Sequence, residues 1–86
     1  MKKEEILKKG KVELQVKRFG QIKREIFEVK YEELPNGKYP VLFLDKPIEL
    51  SELCRIANET GLPVKTKNGI AFPEGKTAKD FLLQEK

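Results

Sequence analysis

Histidine and tryptophan are absent from this 86-residue chain, and cysteine occurs once. Each absence removes a class of chemistry. Without histidine there is no imidazole general base, no Ser–His–Asp triad and no histidine-built metal site. A single thiol, Cys54, cannot supply a zinc or iron–sulfur site on its own. Nor can it close a disulfide within the chain, so a reducing, cytoplasmic setting is expected. No apolar run approaches the roughly 18 residues of a membrane-spanning helix. The Lys-bearing N-terminus lacks the apolar stretch of a signal peptide. We therefore expect neither an enzyme nor a membrane protein, and no cofactor or metal.

Charge is what the chain has in quantity. Fifteen of its 18 basic residues are Lys and 12 of its 14 acidic residues are Glu, a balance that resembles proteins of heat-loving organisms. The net charge of +4 hides a polarised distribution. Residues 1–31 hold ten basic and five acidic side chains, whereas residues 32–60 hold three and six. The length fits one domain, 1–86, burying roughly 60–65% of its unfolded surface.

Three turn signals punctuate alternating apolar and charged segments. Gly20-Gln21 as a two-residue loop sets Val16 opposite Glu25, Leu14 opposite Phe27 and Val12 opposite Val29. Val12, Leu14, Val16, Phe27, Val29 and Tyr31 then share one face, with Lys11, Glu13, Lys17, Arg24 and Glu28 on the other. Asn36-Gly37 pairs Leu34 with Tyr39 and Tyr31 with Leu42. The reading is a three-stranded antiparallel meander over 11–19, 22–34 and 38–44. Pro40 belongs where no ladder donor is needed, which makes the third strand an edge.

The period then changes. Leu50, Leu53, Cys54 and Ala57 follow helical spacing, with Gly61 as a left-handed C-cap, giving a helix over 50–60 that covers the meander. Ser51 is a candidate N-cap, as are positions two residues earlier. On the apolar stripe, Cys54 reads as an inert core thiol. A three-residue loop, Lys67-Asn68-Gly69, makes a hairpin of 62–72 in which Val64 faces Phe72. Thr77 to Asp80 resembles a capping box opening a short C-terminal helix. The expected fold is α+β, in the order βββαββα. Residues 1–10 read equally as a helical turn anchored by Ile6 and Leu7 or as a frayed tail.

Several motifs are decoys. Gly75-Lys76-Thr77 resembles the end of a phosphate loop, but five residues rather than four separate Gly69 from Gly75, and a strand lies between them. Asn58-Glu59-Thr60 has the glycosylation pattern, yet it lies within the expected helix. A winged helix-turn-helix fails because no recognition helix fits between Gly61 and the last hairpin.

Two functions remain. Lys17, Arg18, Lys23 and Arg24 surround Phe19 and Ile22 at the first hairpin tip, and Lys65 and Lys67 mark the last. Such cationic ribbons neutralise phosphates of DNA or RNA, and an aromatic among them stacks on an unpaired base. The alternative is a protein-interaction module or homodimer using the Leu34, Tyr39, Val41 and Phe43 face, with Ile26 beside it.

Overall fold

The computed structural model describes residues 3–83. Its elements are α1 (Lys3–Lys9), β1 (Lys11–Arg18), β2 (Gln21–Leu34), β3 (Gly37–Leu44), α2 (Leu50–Thr60), β4 (Val64–Thr66) and β5 (Gly69–Ala71). A single 3-10 turn, Ala78–Phe81, follows. The five strands form one sheet in the order β1-β2-β3-β4-β5. All neighbours are antiparallel except β3 and β4, which the α2 crossover brings back parallel. This is an α+β fold with the expected element order, and the opening segment takes its helical alternative, with Ile6 in the core.

The first hairpin closes one residue earlier than its glycine implied. Phe19-Gly20 forms the loop, both residues left-handed with φ of 50° and 79°, as a type I′ turn requires. Val12 therefore faces Phe27, Leu14 faces Glu25 and Val16 faces Lys23. The reason lies on the solvent side. In the register expected from Gly20-Gln21, Lys11 would oppose Lys30, Glu13 would oppose Glu28 and Lys17 would oppose Arg24. Like charges directly opposite are destabilising. The observed ladder sets Lys11 against Glu28, Gln15 against Arg24 and Lys17 against Ile22. A two-residue slip keeps every side chain on its face, so Val12, Val16 and Phe27 are buried as expected.

The second loop is likewise displaced, to Pro35-Asn36, so Tyr31 meets Pro40 and Val29 meets Leu42. Pro40 does sit where no ladder donor is needed. The N–H of Leu42, two residues on, donates to the Pro63 carbonyl on the β4 side, so Pro40 points that way too. β3 is nevertheless central, not an edge. It pairs with β4 over Leu42–Leu44, while the Leu83 N–H donates to the Lys38 carbonyl at 2.8 Å. Pro40 occupies the gap between those partners.

Helix α2 spans the expected residues and ends at Gly61, whose left-handed backbone returns its N–H to the Ala57 carbonyl. Its buried stripe is Leu53, Ile56, Ala57 and Thr60, the expected pattern moved three residues along. Leu50 and Cys54 are consequently exposed, so Cys54 is not a core thiol. Thr60 tolerates burial because its hydroxyl donates to the Ile56 carbonyl. The helix starts after Glu49, with Ser51 already inside it.

The last hairpin departs most. Its loop is Lys67-Asn68, which pairs Lys65 with Ile70 and Val64 with Ala71. This one-residue difference reverses the faces. Ala71 enters the core beneath α2, and Phe72 turns to the opposite side, 6.0 Å from the Tyr39 ring and 6.5 Å from Phe81. That packing gives the apolar back of β3 a cover that the expected register denied it. The capping box at Thr77 and Asp80 is present, and Phe81 and Leu82 are half-buried.

Candidate nucleic-acid interface

Because β3 leaves the sheet after Leu44, the β1–β2 hairpin continues alone. The last rung between β2 and β3 joins Glu28 to Phe43. Residues 21–26 and their β1 partners run beyond it for about 20 Å at ~3.3 Å per residue. The molecule is accordingly elongated, 45 × 23 × 22 Å.

Phe19 stands at the end of this projection, 86% exposed. Lys17 and Arg24 lie on the outward face with Ile22, and Lys23 on the face shared with Val16. Lys17 and Lys23 have no ion pair among the described residues. Arg24 meets Glu13 at 3.2 Å, both side chains largely in solvent, a pair worth little and readily exchanged.

Lys65 and Lys67 are not brought to the tip, and Arg18, although it closes the loop opposite Gln21, turns its side chain back along the ribbon. Arg18 lies on the inner face, half-buried, 3.8 Å from Glu25, whose carboxylate also receives Lys46 at 3.3 Å. Lys65 is paired with Glu32 on the back of the sheet. Lys67 points toward the same end as the first hairpin but stops level with Asp45, 3.6 Å away. The exposed residues left at the candidate site are thus Phe19, Lys17, Lys23 and Arg24.

An ion pair on α2, which sequence reasoning missed, braces the outer edge of the projection. Glu52 and Arg55 on α2 meet at 2.9 Å, and Arg55 also reaches Glu59 at 2.6 Å. Glu52 accepts the Lys17 backbone N–H at 3.0 Å, and Arg55 donates to the Gln15 carbonyl at 3.0 Å. These are edge groups of β1, so the pair covers part of an otherwise open strand. The Arg55 guanidinium, and then the Lys17 N–H, hold the Glu52 carboxyl below its ordinary range. The signal was legible: Glu52, Arg55 and Glu59 sit at i, i+3 and i+7 on one helix face. The shallow groove beside this pair, about 490 Å³, is lined by Glu13, Glu52 and Glu59 against Lys17 and Arg55, whose guanidinium is already held by Glu52 and Glu59. Its carboxylates disfavour phosphate there and leave the tip as the cationic surface.

The alternative interaction face is closed at its centre, with Leu34 and Ile26 left exposed at its margins. Tyr39 and Val41 are 7% and 1% exposed, and burial pushes the Tyr39 hydroxyl above its ordinary pKa. Phe43 is half-buried beneath the Lys30 ammonium, 4.4 Å from its ring centroid. Among the described residues no three Cys, Asp or Glu side chains gather to hold a metal ion, and no helix is long and apolar enough to cross a membrane. No family model matches this sequence, and neither a curated protein nor a solved structure matches it.

Proposed function

We propose that this chain is a non-enzymatic module that binds nucleic acid through its projecting β1–β2 hairpin, favouring segments with unpaired bases. One observation carries the reading. Phe19 holds a left-handed backbone, φ 50°, in a turn position where Gly, Asn or Asp is usual, and its ring is left in solvent. A bulky residue there costs about 1–2 kcal/mol, and almost no burial offsets that cost. Strain of this kind collects where a ligand is met.

The surroundings agree. Lys17, Lys23 and Arg24 lie two to four rungs behind the ring on the two faces of the ribbon, so the phosphates that follow a stacked base meet cations. An exposed aromatic has a π-face that every base accepts, worth ~1–3 kcal/mol per base. Titration of a labelled single strand and the matching duplex tests this. Phe19→Ala should weaken single-strand binding about tenfold and duplex binding less. Equal losses on both would contradict the stacking role.

A further inference from the structure

The projecting hairpin has a second property, independent of its charge. Residues of β2 with even numbers point their N–H and C=O groups toward β3, as Glu28, Lys30 and Glu32 do. Ile22, Arg24 and Ile26 continue that row beyond the end of β3. Among the described residues none of their backbone groups has a partner. The two outer edges of the sheet are managed differently: β1 is covered by Glu52 and Arg55, and β5 is only three residues long. The β2 segment is a six-residue open edge in line with β3.

Its side chains define what fits. On the outer face Ile22 and Ile26 are 68% and 55% exposed, bracketing Arg24. On the inner face Lys23 is unpaired among the described residues, and the carboxylate of Glu25 is already taken by Arg18 and Lys46. A notch of about 400 Å³ lies where β3 departs, its apolar wall made by Ile26, Phe43 and Leu44 and its rim carrying Glu25, Glu28 and Asp45 as well as Arg24 and Lys46. Lys23, farther along the edge, is the cation that no carboxylate holds among the described residues.

From this we infer that the 21–26 edge accepts an extended peptide from a partner protein, one that alternates apolar and acidic residues, by strand addition. Its backbone pairs with Ile22, Arg24 and Ile26. Its apolar side chains lie on the two isoleucines, and its carboxylates face Lys23. A second copy of this chain fits poorly. The antiparallel register that sets Ile22 against Ile26 also sets Arg24 against Arg24. It drives the second copy's Phe19-Gly20 turn into the place occupied by the end of β3.

The test is a capped peptide of about six residues, alternating Val and Glu, titrated into the isotope-labelled chain. Binding should shift the amides of Ile22, Arg24 and Ile26 and slow their hydrogen exchange, while the amides of Lys23 and Glu25, already in the β1 ladder, keep their protection. Methylating the peptide nitrogens that face β2 should abolish binding. So should replacing Glu by Lys. Ile26→Pro removes one edge donor without touching the β1 ladder, and should cost about tenfold in peptide affinity. It should leave oligonucleotide affinity unchanged, which separates this inference from the nucleic-acid reading. The inference is overturned if no peptide binds, if the N-methylated or Lys peptide binds equally well, or if the same three amides are protected in the free chain by self-association.

Discussion

Glu52 and Lys17, 35 residues apart in the chain, meet through a 3.0 Å hydrogen bond from the Lys17 backbone N–H to the Glu52 carboxylate. The bond ties the N-terminal turn of α2 to the outer edge of the hairpin, one rung from its turn. Removing the carboxylate exposes an edge donor and frees Arg55. Glu52→Ala should therefore lower stability by about 1–3 kcal/mol, read from urea unfolding, and loosen the amides of residues 15–17 in hydrogen exchange.

The same bond sets a pH dependence. Neighbouring Arg55 and the Lys17 N–H lower the Glu52 pKa in the fold from an ordinary value of 4.5. An acid whose folded pKa is depressed contributes stability above its unfolded pKa and loses it as pH falls through the folded one. The wild-type chain should lose this contribution below pH 4.5. Glu52→Gln should show a flatter stability profile over that acid range and little difference in slope near neutrality.

Phe19 is the place where stability and binding should part. Phe19→Asn relieves the left-handed strain and removes an aromatic that buries little. Thermal unfolding should shift upward, by about 1 kcal/mol of stability, while single-strand affinity falls. A variant that is both less stable and unchanged in binding would identify the ring as a hairpin clasp.

Charge at the tip should act through phosphates. Replacing Lys17, Lys23 and Arg24 with Gln should leave the fold nearly intact, since exposed charges contribute little to stability. It should reduce the slope of log affinity against log salt by about 2 for single strands, at ~0.7 per phosphate contact. Lys65→Gln should change the slope little, because Lys65 is held by Glu32 away from the tip.

Gly37 tests the closure of the C-terminal segment on β3. A Cβ there would lie 3.1 Å from the Leu83 carbonyl, and its φ of 144° disfavours any side chain. Gly37→Ala should destabilise by about 1–3 kcal/mol and release the Leu83 amide to exchange before the rest of the sheet.

How much of this was legible in the sequence follows from parity. Both early loops were displaced by one residue, which moves each partner by two, so the buried faces survived although every named pair changed. Val12 and Phe27 are buried for the reason the alternation gave, but they face each other rather than Val29 and Leu14. The last hairpin lost a single residue from its loop, and that reversal hid Phe72 behind Tyr39. No local pattern announces such a choice; it is set by the apolar back of β3, a long-range partner. Phe19, Lys17, Lys23 and Arg24 are exposed at or near the turn. Arg18 and Lys65 are instead drawn to carboxylates that no local pattern assigns to them, Glu25 on the same hairpin and Glu32 across the sheet.

The central claim is that the hairpin tip meets nucleic acid. Amide chemical-shift mapping of the full chain, with a short single strand added at low and at physiological salt, tests it most directly. The account predicts shifts centred on residues 17–24, largest at Phe19 and its neighbours, and diminishing as salt rises. No shifts, or salt-insensitive shifts centred on α2 or on β4 and β5, would contradict it.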